Sequence, residues 1–150
     1  MLKYQHIFFI KLLFFIILNG CSSIDKAESL YKSGDKEAAL EMSISLLENE
    51  NSRVRIRAIK LIGKIGGDRG GSALVGHLQD PNNKVKREII VTFGQMQYVQ
   101  AIEDLLDLIP DANESITRAL SVSFKSYEKI GIEELVLGGQ FICNLLSLRT

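Results

Sequence analysis

The sequence predicts an all-α solenoid, a stack of antiparallel helix pairs, which follows an N-terminal signal segment. The main observation is an internal repeat, because apolar, asparagine and glycine positions recur at intervals of 31 residues. A fixed period of roughly 20 to 50 residues is typical of stacked repeat arrays. In addition, turns rich in glycine or proline separate segments whose apolar residues have helical spacing. A basic start and a short apolar run identify the signal.

Length and charge set the first bounds on function. The chain has 150 residues, which suits one modest domain, and its formal net charge is zero. The first 20 residues contain Lys3 and Lys11 and no acidic residue, so the rest carries 16 basic and 18 acidic side chains. This near-balance argues against broad nucleic-acid binding, which requires a basic excess.

Residues 1–20 have the pattern of a signal segment. Lys3, His6 and Lys11 make the start mildly basic, and an apolar run over 12–18 follows. This run is shorter than the ~20 apolar residues that a membrane-spanning helix needs. We therefore predict a segment that directs export and is then removed.

The end of this segment, Leu18-Asn19-Gly20-Cys21, resembles the lipobox of bacterial lipoproteins. The resemblance implies cleavage between Gly20 and Cys21, a diacylglyceryl group on Cys21, and a lipidated tether over 21–24. Asn19 departs from the small or hydroxyl residue usual at its position, and an ordinary secretory signal is the alternative. The serines after Cys21, with no aspartate, resemble outer-membrane sorting. The resemblance thus implies the cell envelope, on the periplasmic side of the outer membrane where two membranes exist.

Residues 25–50 predict a first helical hairpin, with helices over 25–33 and 35–50. Gly34 suits a left-handed helix end, and Asp35 suits the N-cap of the next helix. The pattern looks like half of a tetratricopeptide repeat. The other interpretation is an amphipathic capping hairpin, since terminal repeats must present a polar outer face.

Residues 51–137 predict the repeat array. The first unit has helices over 53–65 and 72–79, separated by a glycine-rich turn over 66–71. The second has helices over 84–97 and 99–109, and a third begins at Ser115. The positions that return with the period are Asn51, Asn82 and Asn113; Val54, Val85 and Ile116; and Ile62, Phe93 and Phe124.

These units resemble short HEAT repeats of the type also found in phycobilin lyases. The resembling residues are Val54, Arg55, Ala58, Ile65, Gly66, Leu74, Leu78 and Asp80, then Val85, Lys86, Phe93, Gly94, Leu105 and Asp111. The resemblance implies a HEAT/ARM-like right-handed superhelix that binds proteins. Thr117, in place of a basic residue, and Tyr98-Val99, in place of a glycine turn, depart from the pattern.

Residues 138–150 begin with a glycine pair and continue as an apolar segment. We predict a final packing helix. The alternative is a truncated repeat, because a solenoid normally ends on a polar face and this chain does not.

A stripe of basic residues is the predicted partner-binding or anion-binding face. Its members lie at helical spacing on the first helix of unit one and continue in unit two: Arg53, Arg57, Lys60, Lys64, Lys84 and Lys86. A solvated helix face is the other interpretation. Arg55 and Lys86 are also interpreted as structural partners of Asp80 and Asp111.

The sequence predicts no catalytic, cofactor-binding or metal site. His77 has no second histidine or cysteine at ligand spacing, and metal sites need several convergent ligands. Cys143 lies in an apolar run and is interpreted as a buried, inert thiol.

The predicted function is therefore a non-enzymatic interaction scaffold, anchored to the membrane through its N-terminal lipid and binding a protein partner. Two alternatives remain. One is a lyase-like accessory protein, from the family resemblance alone, and the other is a non-functional fragment of a longer array.

Overall fold

A computed structural model describes residues 23–128, which form seven α-helices and no strand within that range. The helices are α1 (Ser23–Lys32), α2 (Lys36–Ser45), α3 (Ser52–Ile65), α4 (Asp68–Val75), α5 (Asn83–Met96), α6 (Ile102–Asp107) and α7 (Glu114–Glu128). Short 3-10 turns at Leu46–Glu48 and Val99–Ala101 follow α2 and precede α6. The predicted all-α class is confirmed. The predicted signal segment, the predicted lipidation site Cys21 and the predicted segment 138–150 lie outside the described residues.

The helices form two layers. The first helices α3, α5 and α7 pack on one another in sequence, and α1 contacts both α2 and α3. We call α1, α3, α5 and α7 the first-helix layer and α2, α4 and α6 the second-helix layer. One buried cluster of apolar side chains runs from Ile24 to Tyr127 between them. This is the arrangement expected of an α-solenoid, in which each pair buries its apolar stripe against its neighbours.

The periodic asparagines cap the first helices. Asn51 and Asn82 accept hydrogen bonds from the backbone N–H groups of Arg53 and Lys84, at 3.0 and 2.9 Å. Asn113 accepts one from Ile116 at 3.1 Å. Each cap satisfies an N–H that has no partner inside its helix, which explains why the same residue type returns at every unit.

The first hairpin turns where the sequence predicted. Gly34 has a positive φ of 94°, and the side chain of Asp35 accepts a hydrogen bond from the N–H of Ala38. The second helix is shorter than predicted, because α2 ends at Ser45 and the 3-10 turn follows it. The structure also starts α1 at Ser23 and buries Ile24 completely, so the predicted tether over 21–24 overlaps the first turn of α1.

The glycine-rich segment of unit one is only partly a turn. Gly66 and Gly67 have positive φ, but α4 begins at Asp68, four residues before the predicted start. Gly70 and Gly71 are therefore inside a helix, and both are buried. A Cβ on Gly71 would lie 2.5 Å from the ring of Tyr98. These glycines allow α4 to pack closely against its neighbours, which requires the absence of a side chain.

The first helix of the second unit, α5, ends without a glycine. Gln97 adopts the left-handed conformation with φ of 52°, and Tyr98 then stacks on Phe93 with ring centroids 5.7 Å apart. The predicted helix over 99–109 is a 3-10 turn followed by the short α6.

The periodic apolar position forms part of the core. Ile62, Phe93 and Phe124 are all fully buried, as the 31-residue alignment predicts. Val122, two residues before Phe124 in α7, is instead 57% exposed. It lies on the surface of α7, because its neighbours Ser123 and Phe124 face the interior.

Candidate binding surface

The most buried charged residues join consecutive units. Arg55 donates to both carboxylate oxygens of Asp80, at 2.7 and 2.9 Å, and also to the carbonyl oxygens of Asn49 and Glu50. The side chains of Arg55 and Asp80 are only 12% and 5% exposed. The proposed structural pairing of Arg55 with Asp80 is therefore confirmed. Protein oxygens accept four hydrogen bonds from this guanidinium, which has five N–H groups, so its main role is structural.

The corresponding pair in the next unit does not form. Lys86 makes no ion pair with Asp111 in residues 23–128, and Asp111 is exposed whereas Asp80 is buried. A small hollow of about 110 Å³ is lined by both residues. Because an ammonium cannot form the two-pronged contact that a guanidinium makes with a carboxylate, Lys86 is a poor substitute for Arg55.

Arg57 from the predicted stripe joins the first hairpin to the array. Its Nη2 lies 2.5 Å from Asp25 and 2.9 Å from Glu28, both on α1. Hydrogen bonds to Glu28 and Asp25 raise the pKa of the Arg57 guanidinium above its ordinary value. On the second-helix layer, Arg69 similarly binds Glu37 and Glu41 of α2. The N-terminal hairpin is thus held by charged contacts on both layers.

The remaining members of the predicted basic stripe differ in their exposure and in whether they form an ion pair. Lys60 has its Nζ 3.9 Å from Glu88 on α5. Arg53, Lys64 and Lys84 are exposed, Lys86 is half-buried, and none of the four forms an ion pair with another described residue. Arg53 and Lys84 occupy corresponding positions in the first turns of α3 and α5. Adjacent helix axes lie about 8–10 Å apart, so these two cations share one edge of the array.

Charge differs between the two layers. α3 carries five basic residues and no acidic residue. In contrast, α6 carries three acidic residues and no basic residue. Of the basic residues of α3, Arg53 and Lys64 are exposed and form no ion pair within residues 23–128, whereas all three carboxylates of α6 are exposed.

Sequence reasoning missed a hollow of about 340 Å³ on the surface between α5 and α7. Its walls include Arg87, Val91, Arg118, Ala119 and Val122. A comparison of equivalent positions in successive units would have suggested this hollow. Arg57 and Glu88 have long side chains, whereas the equivalent residue of the next unit is Ala119. This hollow is called the open groove below.

The other features to consider in the described residues are His77, possible metal sites and possible membrane spans. His77 is half-buried, with its Nε2 3.7 Å from Glu48, as expected for a semi-buried surface histidine. Between residues 23 and 128, no group of three or more His, Cys, Asp or Glu side chains is arranged to hold a metal ion. None of the helices in that range is long and apolar enough to span a membrane.

Comparison with known proteins identifies the repeat. The family model for HEAT repeats matches the chain twice, over residues 27–89 and 40–123, and the two matches together cover well over half of it. A search of curated proteins finds no significant match. The matched range includes most of the first hairpin. The chain belongs to the HEAT-repeat family.

Proposed function

We propose that this chain is a lipid-anchored, non-enzymatic scaffold of the bacterial cell envelope, which uses its first-helix layer to bind an acidic protein partner. The observation that carries the proposal is the set of exposed cations on that layer, Arg53, Lys64 and Lys84, which have no partner among residues 23–128. An extended helical-repeat surface with unsatisfied charge of one sign suits recognition of a surface of the opposite sign.

The anchor and this surface are connected by chain geometry. Only Ser22 separates Cys21 from the first residue of α1. Each residue spans at most about 3.6 Å, so a lipid on Cys21 would hold the first turn of α1 close to the bilayer. Arg53 and Lys84 lie in the corresponding first turns of α3 and α5. The scaffold would thus present this edge near the membrane, where acyl chains contribute about 0.8 kcal/mol per buried CH₂ to anchoring.

The anchor is tested with Cys21→Ser, and Cys143→Ser is the matched control. We expect the wild-type chain and Cys143→Ser to incorporate a labelled fatty acid and to sediment with membranes, whereas Cys21→Ser should lose the label because the acceptor thiol is absent. The measurement is metabolic labelling followed by fractionation of the cells. A labelled and processed Cys21→Ser product would contradict the anchor, and an unlabelled wild-type product would favour an ordinary secretory signal.

The partner-binding surface is tested with Arg53→Glu/Lys84→Glu. We expect this charge reversal to reduce cross-linking of the chain to its acidic partner roughly tenfold or more, since like charges across an interface are strongly unfavourable. Lys32→Glu/Lys125→Glu is the control, because it makes the same change of charge at exposed positions away from this edge. The measurement compares cross-linked species from intact cells. An unchanged cross-linking pattern in Arg53→Glu/Lys84→Glu would show that this edge does not bind the partner.

A further inference from the structure

One repeat position of the first helices lies at the groove beside the preceding first helix. The residue type at this position differs from unit to unit. Arg57, Glu88 and Ala119 occupy that position in α3, α5 and α7, at intervals of 31 residues. Arg57 fills the groove beside α1 and binds Asp25 and Glu28. Glu88, whose side chain is 15% exposed, lies in the groove beside α3 near Lys60. In both of these grooves a long side chain forms an interhelical ion pair.

The third groove has no such side chain. Ala119 ends at its Cβ, and the open groove results. Its apolar surface comes from Val91, which is half-buried, and from Val122, which is 57% exposed. Arg87 and Arg118 occupy one repeat position on its two walls, and both are exposed. Arg118 binds Glu114 on its own helix, while Arg87 forms no ion pair with a residue in 23–128.

A complementary surface lies on the second-helix layer. Val99 is 41% exposed and Leu106 is 36% exposed; with Val122 they are the exposed large hydrophobic residues in the described range. Val99, Glu103 and Leu106 follow one another at spacings of four and three residues, so they share the outer face of the α6 segment. Glu103, Asp104 and Asp107 are all exposed, and the segment has no basic residue. We call this surface the α6 face.

We propose that the chain associates with itself, and that the α6 face of one copy docks into the open groove of another. The apolar pairs Val99–Leu106 and Val91–Val122 would bury one another. Glu103 and Asp107 would meet Arg87 and Arg118, a pairing that suits guanidinium and carboxylate groups. Removing apolar surface from water supplies the driving force, and the charges select the orientation.

The geometry of this contact is heterologous, because the two surfaces belong to different layers of the molecule. A single copy cannot place its α6 face in its own groove. A pair of copies therefore keeps one unused groove and one unused α6 face, and such contacts build rings or open chains. This association goes beyond the scaffold role proposed above, since it requires neither the lipid on Cys21 nor an outside partner.

The test uses two full-length chains with different affinity tags, expressed together and purified through one tag. The variant Val91→Lys/Ala119→Glu closes the open groove, because it transfers the Lys60–Glu88 pair to the corresponding positions of the next unit. The variant Glu103→Lys/Asp107→Lys reverses the charge of the α6 face. We expect wild-type copies to co-purify, and we expect each variant to lose co-purification with itself by roughly tenfold or more.

Mixing the two variants tests the heterologous geometry. The groove variant keeps its α6 face and the α6 variant keeps its groove, so the two together should co-purify at near wild-type yield as a 1:1 complex. A symmetric contact, or an acidic outside partner that links the copies, would not be restored by mixing these variants. Failure of the mixture to recover, or wild-type chains that do not co-purify, would overturn the proposal.

Matched controls separate this contact from general charge effects and from misfolding. Lys32→Glu/Lys125→Glu and Glu48→Lys/Glu50→Lys alter exposed charges elsewhere and should leave co-purification unchanged. If the groove variant does not fold, as judged by circular dichroism, Arg87→Glu/Arg118→Glu replaces it, because both side chains are exposed. Co-purification of this second variant with itself at the wild-type level would also overturn the proposal. Fatty-acid labelling of the same samples reports separately on the lipid anchor.

Discussion

Phe93→Ala is expected to lower the free energy of unfolding by about 3–5 kcal/mol, the usual cost of truncating a buried phenylalanine. Phe93 is fully buried in the middle unit and stacks on Tyr98, and its repeat equivalents Ile62 and Phe124 are also fully buried. Because a domain of this size has only about 5–15 kcal/mol of stability, the variant should be close to unfolding. Urea unfolding followed by circular dichroism measures the change.

The control for Phe93→Ala is Lys64→Ala. Lys64 is exposed at the end of α3 and forms no ion pair in the described range, so its removal should change stability by about 0.5 kcal/mol or less. If Phe93→Ala were as stable as Lys64→Ala, the assignment of the repeated apolar position to the core would be wrong.

Asp80→Ala is expected to cost a similar amount, about 3–5 kcal/mol, because it leaves the guanidinium of Arg55 buried without its carboxylate. The loss extends to the next helix, since Asp80 Oδ1 also accepts a hydrogen bond from the N–H of Asn82, the residue that caps α5. Asp80→Asn should lose less stability, because an amide keeps the shape and can still accept from Arg55. Chemical denaturation of the three proteins gives the comparison.

The matched control for Asp80→Ala is Asp111→Ala, one repeat further along the chain. Asp111 is exposed and makes no ion pair among residues 23–128, so this change should cost about 0.5 kcal/mol or less. Equal losses in Asp80→Ala and Asp111→Ala would mean that the buried contact with Arg55 contributes nothing beyond the repeated turn.

Several parts of the fold could be predicted because their causes are local. The N-cap of Asp35 and the turn at Gly34 depend on residues within a few positions of one another. The burial of Ile62, Phe93 and Phe124 also follows from the period, since equivalent positions in stacked units face the same core.

The predicted start of the second helix of unit one was wrong for a reason that the sequence does not display. Glycine is usual in turns, so a run of glycines predicts a turn. Gly70 and Gly71 instead lie in α4, where Ile62 and Tyr98 leave no room for a side chain. A turn and a closely packed helix both favour glycine. Only the residues that contact Gly70 and Gly71 in the folded structure show which of the two applies.

The sequence by itself determined that this protein is a helical-repeat array, where its units begin, and that Ile62, Phe93 and Phe124 belong to its core. The tertiary structure decided which charges remain available for binding. Arg53, Arg57 and Lys60 look alike along α3, but only Arg53 has no acidic partner among the described residues. The partners of Arg55 and Arg57 lie 25 and 32 residues away in the chain. Helical spacing specifies the side of a helix on which a charge lies, whereas packing of the next helix determines what stands opposite it.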